Sequence, residues 1–161
     1  MGYVETKAET RFSDFGPGGE LHFSRCLMFF EMARFAISVD AGLKEGLMEC
    51  YPGKGVSFVV IRVHNQYVKP VPLRYYFNGG LIVRSRLLET YSGKLSFEQE
   101  LWGADDQEGP YVKASIDTAM LLEGEGLLSR PDPRIIQRLD AYCERLEREC
   151  WTLDTDRTEQ G

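Results

Sequence analysis

The 161-residue chain is poor in the features that announce several large function classes. It has no apolar run near the roughly 18 residues of a membrane helix, so no membrane span is expected. Its only histidines are His22 and His64, and its four cysteines form no CxxC pair, which excludes a four-ligand zinc site of the usual spacing. Positive charge is in deficit, with 19 Lys and Arg against 25 Asp and Glu, a net charge of −6. That balance speaks against a general nucleic-acid or membrane-surface binder. The opening MGYVETKAETR lacks an apolar signal core, so a cytoplasmic protein is expected. The glycine-rich stretch at 16–19 lacks the Gly-Lys-Ser/Thr ending of a phosphate loop, no internal repeat is evident, and no motif implies a cofactor. What is abundant is apolar surface: 43% hydrophobic and 12% aromatic residues, enough for the core of a single folded domain. In that setting Cys26, Cys50, Cys143 and Cys150 read as reduced, mostly buried thiols.

The hydropathy pattern changes period along the chain. Residues 3–13 alternate weakly, as a strand does, and Phe15-Gly-Pro-Gly-Gly19 breaks them. Ser24 is placed to cap a helix reaching about Ala41, with Gly42 as its stop signal. Between 27 and 39 only Glu31, Arg34 and Ser38 are polar, so this helix is expected to be buried on most sides. Residues 44–55 read as a connection rich in Gly and Pro. Period-two alternation then takes over in 56–68, 80–91, 94–102 and 112–122, with Val59, Ile61, Val63 and Tyr67 assigned to one face of the first of these. The segment 103–110 is a hairpin loop. Pro131 and Pro133 open a terminal helix whose apolar stripe is Ile135, Ile136, Leu139, Tyr142, Cys143 and Leu146. The expected organisation is one domain over 1–150, its terminal helix at 131–150, and a polar tail at 151–161. A single curved antiparallel sheet wrapped round one buried helix satisfies this order, an α+β class.

A glycine turn feeding a greasy helix has a chemical use. Unpaired N–H groups near Leu21 to Ser24, at the positive end of the helix dipole, suit a carbonyl oxygen that gains negative charge during reaction. Gly16, Gly18 and Gly19 let the backbone approach a substrate closely. Glu31 and Arg34, three apart on the helix, read as an ion pair or as a bond to a loop.

Three words in this order resemble the hotdog-fold acyl-CoA thioesterases, in particular 4-hydroxybenzoyl-CoA thioesterase and its relatives linked to the Tol–Pal system. They are Phe30-Glu31-Met32-Ala33-Arg34, then V-V-I-R-V-H-N-Q-Y-V-K-P at 59–70, then G-K-L-S-F-E-Q-E at 93–100. The resemblance spans roughly residues 8–122 and leaves the terminal helix outside. It implies a hotdog fold, a homodimer or homotetramer, and a thioester substrate on CoA or acyl carrier protein, hydrolysed at a dimer interface. The family's catalytic aspartate, the second of its D-x-D word, falls on Gly16, and the first falls on Asp14. The catalytic candidates are therefore Asp14, two residues earlier and on the same side of an extended strand; His22 as acid or base; and Glu31 and Arg34. Relatives from enediyne pathways lack the acid and lean on an arginine at the position of Arg34. Gly16, Gly19, Phe23 and Val59 are the expected substrate-binding residues. Arg62, Lys69, Arg74, Arg84, Arg86 and Lys94 are candidates to meet CoA phosphates or to form a solvated face. Two rivals stand beside hydrolysis: a hotdog dehydratase or hydratase using His22 with an acid, and an acyl-binding protein without catalysis, which Gly16 favours.

Overall fold

The computed structural model describes residues 3–77, 80–88, 94–105, 109–128, 130–148 and 151–153. Strand β1 (Val4–Ala8) leads through a short 3-10 turn (Phe12–Asp14) and the glycine turn into α1 (Phe23–Asp40). Helix α2 (Leu43–Cys50), strand β2 (Val56–Tyr67) and the single-turn helix α3 (Arg74–Phe77) follow. Strands β3 (Leu81–Leu87), β4 (Lys94–Gly103) and β5 (Val112–Leu122), the short β6 (Gly126–Leu127), helix α4 (Pro133–Arg148) and β7 (Trp151–Leu153) complete the chain. The sheet runs β2-β5-β4-β3-β1-β7, with β6 paired to β5. Every pairing is antiparallel except β1 with β7. The sheet curves round α1, as the residue pattern predicts. Among the described residues no helix is long and apolar enough to cross a membrane.

The strands that alternate most regularly in sequence behave most regularly in space. In β3 and β4 the residues at every second position, among them Leu81, Val83, Leu95, Phe97 and Leu101, are buried against the helices. One core cluster joins Leu81, Val83 and Leu101 to the inner face of α1, where Phe30 and Ala33 are fully buried. A second joins Leu95 and Phe97 to Ile37, Leu43 and the stripe of α4 (Ile135, Leu139, Tyr142 and Leu146). The α4 stripe is thus where its periodicity puts it, with Ile136 and Cys143 at its half-buried margin.

Several expectations are corrected. The first strand ends at Ala8, and residues 12–14 coil into the 3-10 turn. Helix α1 begins one residue before Ser24, with His22 as its N-cap and no side-chain capping bond. Gly42 does stop it, in the left-handed region at φ 68°. The helix is buried on one side only: Phe23, Leu27, Met28, Met32, Phe35 and Val39 form an open apolar face. Residues 43–50 are a helix rather than loop, because Leu43, Leu47 and Met48 fall on one side of two turns. Trp151–Leu153 form a strand beside β1 instead of opening a tail. In β2 the pairing slips between Val60 and Arg62. Val56, Phe58 and Val60 face inward before this bulge, and Val63, Asn65 and Tyr67 after it. Val59 and Val63 therefore lie on opposite faces. The turn expected at 91–93, Cys150 and residues 154–161 lie outside the described residues.

Candidate functional site

The site begins where β1 gives way to α1. Phe15 and Leu21 bridge across the glycine turn, and Glu20 bridges to Pro72. Gly16 N–H donates to Glu20 O at 2.7 Å and Gly19 N–H to Gly16 O at 2.9 Å. Gly19 is left-handed at φ 78°, a conformation that favours glycine, and its carbonyl accepts from Leu73 N–H at 2.9 Å. The turn is thus pinned to the segment that follows β2.

Asp14 does not stand in an extended strand beside Gly16. It ends the 3-10 turn, 3% exposed. One carboxylate oxygen accepts Arg11 N–H at 2.7 Å, and the other lies 2.7 Å from Arg25 Nε. Its carbonyl accepts His22 N–H at 2.9 Å. Both carboxylate oxygens are engaged inside the protein, so Asp14 fastens the turn to the first turn of α1.

The helix start is partly closed by the protein's own groups. Leu21 N–H donates to Val71 O at 3.0 Å and His22 N–H to Asp14 O, so these two are not available to a ligand, contrary to the sequence reading. The N–H groups of Phe23 and Ser24 donate to no group among the described residues. Such orphan donors are what the first turn of a helix offers an anion. His22 is exposed, and its imidazole makes no hydrogen bond to another of the described residues. The ring leans over Gly16: a β-carbon on residue 16 would lie 3.2 Å from its Cε1. The imidazole thus stands over the glycine turn at Gly16. Phe23 is 62% exposed, and its ring packs 4.3 Å from that of Tyr67, flanking the open amides.

Farther along α1 a cavity of about 980 Å³ opens between α1, α2, β2 and the sheet. Phe35 and Val39 of α1, Leu47 and Met48 of α2, and Phe58 and Val60 of β2 make its apolar walls. Glu31 and Arg34 line it too, and no salt bridge joins them among the described residues. Arg34 instead donates from Nη1 to Gln99 Oε1 at 2.8 Å. Gln99 is fully buried and donates from Nε2 to Phe30 O and Ser85 Oγ, both at 3.0 Å. Burial holds the Arg34 guanidinium pKa below its ordinary value, and the Glu31 carboxylate acts against that shift. The cavity therefore carries a cation fixed to the sheet beneath it.

The structure brings the sequence candidates together in two groups: Asp14, Gly16, Gly19, His22 and Phe23 at the helix start, and Glu31 with Arg34 in the cavity. By the α-helical rise, Ser24 and Arg34 are about 15 Å apart along the axis. Val59 lines neither, since Phe58 and Val60 point into the cavity. Sequence reasoning misses Gln99 and α2. The buried face of β4 signals Gln99 only as a polar residue in an apolar series.

The surface cations divide as well. Arg84 bonds Glu5 at 3.0 Å and stacks on Trp102, and Arg86 pairs with Glu98 at 3.6 Å. Arg74 donates to the Tyr75 hydroxyl at 3.1 Å, and Lys69 sits over the Tyr111 ring. Arg62 and Lys94 are exposed.

No family model and no curated protein matches the chain. Solved structures do. A probable thioesterase from Bartonella henselae is 21% identical, over 80% of this chain and 99% of that one, with a TM-score of 0.66. A thioesterase from Thermus thermophilus, solved with coenzyme A and zinc, is 22% identical over 88% and 95%, also at 0.66. The dynemicin thioesterase, whose structures reveal polyene binding, is 14% identical over 89% and 96%, at 0.69. The chain has the hotdog fold. At these identities the match is one of architecture.

Proposed function

We infer that the protein hydrolyses an acyl thioester carried on CoA or an acyl carrier protein. The observation that carries this reading is the pair of open amides, Phe23 and Ser24, beside an uncommitted imidazole at one end of an open apolar helix face. The hotdog neighbours named as thioesterases, one of them holding coenzyme A, support it.

The chemistry follows from the groups present. The thioester carbonyl oxygen points at the Phe23 and Ser24 N–H groups, and the acyl chain runs along α1 toward the cavity. His22 takes a proton from water, and the hydroxide so formed adds to the carbonyl carbon. The oxyanion is held by the two amides, each such donor being worth about 3–4 kcal/mol at the transition state. The carbon–sulfur bond then breaks, and the His22 proton goes to the leaving thiolate. The products are a carboxylic acid and a free thiol. Asp14 has no part in proton transfer; it holds the turn. Glu31 and Arg34 set the polarity of the path to the cavity.

A homodimer or homotetramer belongs to the same reading. The open face of α1 and the outer edge of β2, which pairs only with β5 among the described strands, are the surfaces offered to a second copy. A second reading, acyl binding without turnover, draws on Gly16 and on the occupied carboxylate of Asp14.

Incubation with a panel of acyl-CoAs, with released thiol measured, separates these. Thiol release that falls about 10²–10⁴-fold in His22→Ala, with KM little changed, supports hydrolysis with His22 as base. Normal turnover in that variant removes His22 from the reaction. Saturable binding with no thiol release by the native protein establishes the second reading.

A further inference from the structure

Helix α2 is held between two things: the cavity on one side and α4 on the other. Its Leu47 and Met48, with Tyr51 just beyond it, line the cavity, while Leu43 packs into the cluster shared with α4. At Gly46 it meets α4 at very short range. A β-carbon on Gly46 would lie 2.9 Å from Arg138 Cδ, 3.0 Å from Arg138 Nε and 3.0 Å from Ile135 Cδ1. No side chain fits there unless a neighbour moves, so the absence of one lets the helices close. Arg138 then grips both ends of α2. Its Nη1 donates to Gly42 O at 3.3 Å and its Nη2 to Glu49 Oε2 at 3.3 Å. At the far end Asp132 N–H donates to the Tyr51 hydroxyl at 2.8 Å. Ile135 is fully buried, so α4 cannot yield easily at this point. The open space beside α2 is the cavity.

We propose that Gly46 and Arg138 are positioning residues that fix how far α2 stands from α1, and that this spacing selects acyl chains by length. The selecting wall is Leu47, Met48 and Tyr51. The terminal helix, which lies outside the stretch resembling the thioesterases, thereby takes part in substrate choice without touching substrate. This rests on the thioesterase reading for its activity assay, but the wall itself is readable without turnover.

The test compares palmitoyl-CoA with octanoyl-CoA. Leu47→Trp fills the cavity directly, and the palmitoyl-to-octanoyl ratio of kcat/KM falls roughly tenfold. Gly46→Ala drives α2 toward the cavity, and the ratio falls about threefold. Gly46→Ala combined with Arg138→Ala removes most of the obstruction and moves the ratio back toward native. A purely structural role for these residues lowers both substrates together and leaves the ratio unmoved; that result, or an absence of rescue in the double variant, overturns the proposal. Displacement of a fluorescent fatty acid by palmitate and octanoate gives the same comparison in binding. Should the native protein release no thiol yet prefer palmitate, with the preference shifting in the variants, the hydrolase reading fails while the length-selecting wall stands. Equal displacement by both acids in native protein and variants sinks the wall.

Discussion

The two faces of α1 are almost equally greasy and have opposite fates. The inner face, with Cys26, Phe29, Phe30, Ala33, Ala36 and Ile37, is sealed inside the chain's own core. The outer face, with Phe23, Leu27, Met28, Met32, Phe35 and Val39, is open, Phe35 being 54% exposed. The inner face sets Ala33 and Ala36 among Phe29, Phe30 and Ile37. The outer carries the rings of Phe23 and Phe35 and the thioethers of Met28 and Met32, which adapt to a ligand or partner. Hydropathy alone does not separate a face finished within one chain from a face left for something else. Rings stand on both faces, so residue size does not separate them either; what separates them is whether the chain's own strands and helices cover the face.

That contrast can be broken by treating the faces differently. The largest effect is expected from Met28→Asp with Met32→Asp on the outer face. On the second-copy reading, like charges facing each other across the two copies convert a dimer to monomers in sedimentation velocity, while the monomer keeps its native circular dichroism. A native protein that already sediments as a monomer removes the second-copy reading of this face. On the inner face, Phe30→Ala should cost about 3–5 kcal/mol of unfolding free energy in urea, through lost burial and a cavity. A cost below about 1 kcal/mol would mean that the inner face is not the sealed one. The smallest effect concerns Cys26. Burial pushes its thiol from 9.0 up to about 11. A raised folded-state pKa means the unfolded chain loses the proton first. The contribution of this thiol to stability is therefore full below about pH 9 and is lost as pH rises through about 11. Cys26→Ala should flatten the decline in stability over that alkaline window; an unchanged slope places the titration elsewhere.

How much of this is legible in the sequence depends on how locally each feature is determined. Strands β3, β4 and β5 and the stripe of α4 declare themselves by simple period, because one face meets core and the other water. Helix α2 hides behind Gly46, Pro52 and Gly53, which read as loop. Gly46 is there for α4, far along the chain, and no local rule reveals a partner at that separation. Asp14 reads as a strand residue on the same side as position 16. The 3-10 turn and the ion pair with Arg25 place it otherwise, and both depend on how the chain re-enters the fold at α1. Glu31 and Arg34 have the right spacing to pair, yet Arg34 goes to Gln99. The buried amide oxygen of Gln99 has to find a donor inside the protein, whereas the exposed carboxylate of Glu31 has water. The two-part site is half visible: the sequence names its residues, but not that they divide between a helix start and a cavity formed partly by an unseen helix.

The slip at Ile61 changes the count along β2 without changing its sides: even-numbered residues face inward before it, odd-numbered ones after. Were Ile61 excised, Arg62 would follow Val60 directly, and Phe58, Val60, Val63 and Tyr67 would all keep their orientation. What the extra residue contributes is direction, since a bulged strand bends and twists more tightly than a regular one. The half that roofs the cavity and the half that ends against the Phe23 ring are thus aimed apart by a single hinge point in an otherwise stiff ribbon. A chain one residue shorter there would preserve every pattern in the strand and still misalign its cavity end with its Phe23 end.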